Sequence, residues 1–523
     1  MSISYIIDNN DESLSNQIIK GSLSQGDNTS ASGAYSHAEG ESTKAIGTNS
    51  HAEGYFSTAS GDDSHAEGSE TIASGATSHV EGYGSLAGGD SSHAEGNFTI
   101  ASGIYSHSEG GQTSAISDAS HAEGYLTTAS GLYSHAEGTL TIASGQASHA
   151  EGSYATASGN YSHAEGQQTI ASGDYSHVEG SFTIASGIFS HAEGGLTTAS
   201  GYLSHSEGSG TTASGTASHA EGDRTIASGD TSHAEGSKTR ASGTFSHAEG
   251  QNTTASGNYG SHAEGQNTIA SGDNSHAEGS YTKAFGQASH AEGYSTTASG
   301  IQAHSEGYLT TASGYYSHAE GISAKSFGAY SHAEGNATIA SGDTSHAEGY
   351  QTTASGYYSH SQGYITLASG QNSHAEGQQT SATTYNTHAE GIGTLASGTG
   401  SHAEGYGTKA TGINSHSQNL YTTAFGFHSH AGGSGSTATG IASFVHSSNS
   451  TVSGDRSAII GGQGITGSAA DTVYVPDFVI KKTATVPTSS ADTVGENGSI
   501  TWDNTHFYWK ANGQWLRVLG STF

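Results

Sequence analysis

The sequence predicts an all-β chain: a parallel β-solenoid (β-roll) of 14-residue coils, followed by a small β-hairpin module. Three observations carry that expectation. The pentapeptide Ser36-His37-Ala38-Glu39-Gly40 recurs every fourteen residues, through His51, His65 and His79 to His402, with looser versions at His416 and His430. A period this strict marks a stack of units, each packing only on its neighbours. Strand formers (Thr, Ile, Tyr) and glycines recur at fixed places in the unit, as short strands alternating with turns require. With 32% hydrophobic residues and 78 glycines among 523, the chain is also too poor in apolar residues for a globular core of its size. A net charge of −34 would by itself suit disorder; the period argues against it.

Residues 1–21 precede the repeats. They are acidic around Asp8-Asn9-Asn10-Asp11-Glu12 and read as an attachment segment. The start has no basic stretch followed by an apolar run, so no secretory signal is expected. No segment is long and apolar enough for a membrane helix. Residues 22–468 hold 32 coils: 29 with an in-register histidine, plus those centred on Leu23, Phe444 and Ala458. Stacked at about 4.8 Å, they would form a shaft on the order of 150 Å long. One extra residue interrupts the period between His247 and His262, in Asn258-Tyr259-Gly260. Residues 469–523 contain both prolines and all three tryptophans. There Asn512-Gly513, flanked by Tyr508-Trp509-Lys510 and Gln514-Trp515-Leu516, signals a hairpin. This module is expected to cap the open edge of the solenoid or to contact a receptor.

With His at position 0, the coil reads Ser(−1), Ala(+1), Glu(+2), Gly(+3), Thr(+6), Ala(+8), Gly(+10). Strand alternation places Ser, Ala and Gly of the first strand, and Thr and Ala of the second, inside a thin coil that admits only small side chains. His and Glu then face outward, yet they barely vary. Glu stands two residues after 26 of the 29 histidines, the exceptions being Gln362, Gln418 and Gly432. Other outward positions, such as +7, drift freely. A constraint repeated on an outward face implies a repeated partner, most simply the same face of another copy. The candidate interface therefore includes His37, Glu39, His51, Glu53, His65, Glu67, His135, Glu137, His163, Glu165, His247, Glu249, His346 and Glu348. Phe444 and Ile460 continue it where apolar residues take the slots. Aromatics at −2, such as Tyr35 and Tyr161, are expected on the rim of the same face.

The alternation of Ala-Ser-Gly with Ser-His-Ala-Glu-Gly, and the unit Ser457-Ala458-Ile459-Ile460-Gly461-Gly462, resemble the head repeats of trimeric autotransporter adhesins. That resemblance spans roughly residues 22–468. It implies a left-handed parallel β-roll packed as a homotrimer, with the first strand of each coil toward the threefold axis. The chain departs from the family in placing His and Glu where apolar residues are usual. The family's export signal and C-terminal membrane anchor are not expected here either. Residues 496–523, from Glu496-Asn497-Gly498 through Trp515-Leu516-Arg517-Val518, look like the small C-terminal modules of tailed-phage and giant-virus fibre proteins. The Ser-His-Ala-Glu-Gly repeats are similar to those in phage tail proteins.

No disulfide or cysteine-rich metal site is expected, because the chain has no cysteine. With 13 basic against 47 acidic residues, nucleic acid is not an expected partner. No nucleophile–base constellation or phosphate loop appears, so the chain reads as no enzyme, and no cofactor is expected. The His/Glu column has three readings: a hydrogen-bonded ladder between copies, an exposed and merely repetitive face, or a run of metal sites. The ladder is preferred. Phe427-His428-Ser429-His430-Ala431-Gly432 contains the one His-x-His of the chain. Alternation would put His428 and His430 on one face, and three copies would then surround a transition-metal ion with six imidazoles. The motif resembles the His-x-His iron sites in phage long-tail-fibre tips. Trp502, Tyr508, Trp509 and Trp515 are candidate cap or receptor aromatics. Protonating all 32 histidines would move the charge from −34 to −2, so behaviour should depend on pH. If Glu raises the histidine pKa, acid stabilises the fold; if histidine is buried neutral, acid weakens it.

The functional expectation is a homotrimeric virion fibre, of a phage tail or head, acting as a stiff spacer. Its N-terminus would join other virion proteins, and its C-terminal module would touch a host-surface glycan or protein. The alternative is a bacterial cell-surface or secreted adhesin of the autotransporter-head type.

Overall fold

Each repeat folds as a five-residue strand beginning at the histidine and a two-residue strand at +7 and +8, as in His93–Asn97 and Ile100–Ala101. The computed structural model describes residues 5–6, 21–477, 486–487, 489–490, 499–503 and 506–519. Strands of the repeats pair in parallel with their equivalents one coil away: His93 lies opposite His79 and His107, and Ile100 opposite Leu86 and Ser114, and the register shifts only late, between His446 and Ser448 among the described strands. The described residues contain no helix.

The chain divides into two compact units, Met1–Asn372 and Ser373–Phe523. The first contains the Leu23 coil and the coils of His37 through His360; Tyr5–Ile6 pairs in parallel with Leu23–Ser24 at its start. The second contains the coils of His374 through His430, then those of Phe444 and Ala458. In it, the parallel pairing runs past residue 468, since Val473–Tyr474 pairs with Ala458–Ile459. It also holds a three-stranded antiparallel sheet of Ile500–Trp502, His506–Ala511 and Gln514–Leu519. The additional residue near Asn258 is absorbed in a turn. Gly260 points into open space with φ 93°, and His247 stays opposite His262.

The interior is built from small side chains because two strands lie back to back. Ser36, Ala38, Thr43 and Ala45 have essentially no exposure, and the same four slots are buried coil after coil. In most coils the serine at −1 closes its turn by donating to the carbonyl three residues earlier, as Ser50 Oγ does to Gly47 O at 2.7 Å. Thr387 does the same to Thr384 O at 2.7 Å. Where serine replaces alanine at +1, its hydroxyl meets the threonine at +6, with Ser108 Oγ and Thr113 Oγ1 2.7 Å apart. In most alanine coils that threonine hydroxyl, Thr141 for example, is dry and without a hydrogen-bond partner.

The turns differ from expectation. The +3 glycine is not inside: Gly40 is partly exposed, at φ 114°. The +10 glycine is buried but outside the left-handed region. Glycine fills the slot in most coils because coils touch there, so a Cβ on Gly159 would lie 2.0 Å from Gly173 O; Ser117 and Thr384 take it in two of the histidine coils. The left-handed residues are mostly not glycine. They stand at +5 and +12, such as Phe56 at φ 57° and Tyr161 at φ 56°. Bonds between coils hold them there: Phe56 N donates to Glu41 O at 2.9 Å and Tyr161 N to Gln146 O at 2.7 Å. Such bonds offset the local cost of a left-handed non-glycine residue. The −2 aromatics therefore sit at a turn, not on the histidine's strand face. Tyr35 is 70% exposed there, and Tyr161, Tyr175 and Phe189 stack on one another at 4.8–5.0 Å. A further column went unread in the sequence. Asp62, Asp174 and Asp343 each accept, at 2.8–2.9 Å, the backbone N–H fourteen residues earlier, clipping coil to coil.

Two outcomes check this packing. Gly159→Ala should cost about 1–3 kcal/mol by overpacking, whereas Gly195→Ala, which meets nothing within 4 Å, should be near neutral in urea melts. Ala136→Ser should gain about 0.5–1.5 kcal/mol by giving Thr141 a partner, read in the same melts.

Candidate functional site

Because the pairing is parallel and unshifted, each histidine lies directly against its equivalent in the next coil. From His37 to His360 the imidazoles stack with centroids 4.6–4.9 Å apart and planes within 14°. In the second unit His374, His388, His402 and His416 stack in the same way. The side chains are about one-third exposed, 33% for His37 and 36% for His346. The Nε2 atoms of His79, His93, His135, His163 and His191, however, are dry and make no hydrogen bond.

The glutamate two residues on turns its carboxylate toward this nitrogen. Separations are 3.6 Å for His37–Glu39, 3.7 Å for His51–Glu53 and for His65–Glu67, 4.0 Å for His247–Glu249 and 3.8 Å for His346–Glu348. Donor atoms of His135, Glu137 and His149 lie within 4.8 Å of one another. His163 and Glu165 occupy the same two strand positions. Most of these distances exceed a hydrogen bond, so the carboxylates leave the nitrogens unsatisfied.

Electrostatics favours neutral rings. Burial is the largest cause and the neighbouring histidines the next; together they outweigh the glutamates and lower the pKa of His37, His65, His93, His163 and His346, among others. His121 and His191 are lowered to about 4. Two stacked imidazoles cannot both be charged cheaply. Glu81 moves the opposite way, raised first by burial and then by Glu95 and Glu67.

At the end of the histidine run the pairing changes. His402 and His416 face the carboxylate of the preceding coil, Glu390 at 3.7 Å and Glu404 at 3.3 Å. Gln418 Nε2 lies 3.4 Å from His430 Nε2. The His430 ring is perpendicular to His416 and stacks on Phe444 at 4.8 Å. Burial, then His416 and His446, lower its pKa to about 4. Gly432 leaves room for His446, whose Nδ1 would lie 2.6 Å from a Cβ at that position. His446 fills the glutamate slot of the Phe444 coil. Counting two residues on from Phe444 would have found it. His428 must be corrected: it stands in the turn at φ 56°, exposed, and not in the strand of His430. Alternation holds only within a strand, so the two histidines do not share a strand face. Phe444 and Ile460 continue the column, 37% and 51% exposed.

In the C-terminal sheet the four aromatics separate. Tyr508 and Trp515 are buried at 9% and 3%, while Trp509 is 48% exposed and Trp502 partly buried. Tyr508 Oη donates to Asp503 Oδ2 at 2.8 Å, and Lys510 Nζ lies 5.8 Å from the Trp515 ring centroid. Asn512 and Gly513 make the tight turn with φ 47° and 75°, as a type I′ hairpin requires. Tyr508 and Trp515 are thus packing residues of this sheet, and Trp509 is the aromatic free to meet a partner.

The YadA head domain repeat matches this chain at residues 38–64, 52–78, 136–162, 206–232, 263–289 and 333–359. These stretches, the repeat of trimeric autotransporter adhesin heads, cover under a third of the sequence and point to an adhesin-type fibre. No curated protein matches the chain.

A pH series tests the neutral column. The folded pKa values of His121 and His191 lie below the ordinary histidine value of 6.5, so the unfolded chain binds protons at these residues that the folded chain does not. The stabilising contribution should be complete above pH 6.5 and be lost progressively as the pH falls toward about 4. Melting temperatures that rise on acidification would show instead that the glutamates govern the column.

Proposed function

We propose that this chain forms a homotrimeric adhesive fibre in which the His/Glu faces of three copies meet along a common axis. One observation carries the reading. A column of half-buried imidazoles lines an otherwise regular face, with Nε2 atoms such as those of His79, His93 and His135 left without a hydrogen bond, and unsatisfied polar groups of this kind favour a partner surface that covers the column. Phe444 and Ile460 extend the face as exposed apolar groups, consistent with a surface that a second copy covers. The matched adhesin-head repeats support the same assembly. The coils act as a stiff spacer, and Trp509, with Phe507 and Leu516 on the same face of the C-terminal sheet, is the surface offered to a host glycan or protein.

Two settings fit this fibre. A virion fibre is supported by the resemblance of residues 496–523 to viral fibre tip modules, with residues 1–21 joining other virion proteins. A bacterial-surface adhesin is supported by the matched head repeats. Antibody labelling of virions against labelling of cell surfaces separates them.

Light scattering on the full-length chain should give about three times 52.6 kDa. Replacing Phe444 and Ile460 together by Asp should weaken the trimer, seen as a concentration-dependent fall in mass. A monomer at micromolar concentration would remove the assembly from the reading.

A further inference from the structure

We propose that the imidazole–carboxylate column is a multisite binder of divalent transition-metal ions, each ion taking a histidine Nε2 and the glutamate Oε of the same coil. The geometry of a single chain carries this, independently of the trimer. Nε2 and carboxylate oxygen are 3.5 Å apart in His332–Glu334, 3.6 Å in His318–Glu320 and 3.9 Å in His121–Glu123. That is long for a hydrogen bond. It suits two donors that each lie about 2.0–2.2 Å from one shared ion. The nitrogens at these coils are shielded from solvent and carry no hydrogen bond, so a cation would satisfy an atom that the protein leaves unsatisfied.

The same arrangement recurs. Donor atoms of His65, Glu67 and His79, of His121, Glu123 and His135, and of His191, Glu193 and His205 lie within 4.8 Å of one another. Stacking sets how such a group is used. Rings such as His121 and His135 lie within 5° of parallel at 4.6 Å, so their in-plane lone pairs run side by side and do not converge. Each ion therefore takes one imidazole per chain, and water or another copy completes its shell. Ions in adjacent coils would repel at that spacing, so occupancy stays well below one per coil. Neutral imidazole with carboxylate favours zinc, nickel or cobalt over calcium or magnesium. The chain's net charge of −34 favours any cation.

The test uses the full chain, stripped with EDTA, incubated with zinc chloride at pH 7.5 and desalted before elemental analysis. More than one zinc per chain is expected. A variant carrying Glu→Gln throughout the column should bind roughly tenfold more weakly; Gln362 and Gln418 already occupy this slot in folded coils. Should that variant fail to fold by circular dichroism, E123Q/E137Q/E151Q/E193Q replaces it, with a proportionate loss of zinc. Glu70→Gln, off the column, should change nothing. No retained zinc, or equal retention in the column variants, overturns the proposal. Native mass on the same samples keeps the readings apart: a metal-free trimer removes the metal and keeps the fibre, and a zinc-binding monomer does the reverse.

Discussion

Parallel, in-register stacking of near-identical coils is the constraint on which the rest of this structure depends. Once each strand residue must sit against its own equivalent, every slot becomes a column, and a column tolerates only what can pack on itself. Alanine can, and Ala38, Ala52 and Ala66 form an interior with no exposure. Glycine at +10 is needed where backbones nearly touch, with 1.9 Å between a Cβ on Gly145 and Gly159 O. The left-handed turn residues are held by amide bonds to the previous coil, so ordinary side chains occupy a conformation usually left to glycine.

The same rule makes the histidine face unusual. A charged residue stacked on itself repels, so a column of imidazoles is stable when neutral. Burial and neighbouring rings both push His37, His121 and His191, among others, that way, and where glutamates oppose them, as at His37, they do so only in part. The result is a strip of aromatic nitrogen lined by carboxylate, reactive toward cations or toward a matching surface. Where the glutamates stop, at Gln418 and Gly432, the stack also turns, and Phe444 takes over from imidazole.

Much of this was legible in the residues. Period, strand composition and glycine placement specify a β-solenoid of 14-residue coils, because a repeating unit that cannot bury a core alone must stack. Alternation also separates buried Ser, Ala and Thr from half-buried His and Glu, since a thin coil excludes large side chains. The hairpin at Asn512-Gly513 follows from local turn chemistry. Contacts between coils, fourteen residues apart, decided the rest. They hold Phe56 and Tyr161 left-handed, recruit Asp62 and Asp174 as clips, and align the imidazoles face to face. They place His428 in a turn and His446 beside His430, which spacing around the His-x-His motif did not reveal. Local pattern determines which way a side chain points within a strand. Only the assembled stack determines what it meets, and hence its charge and its chemistry.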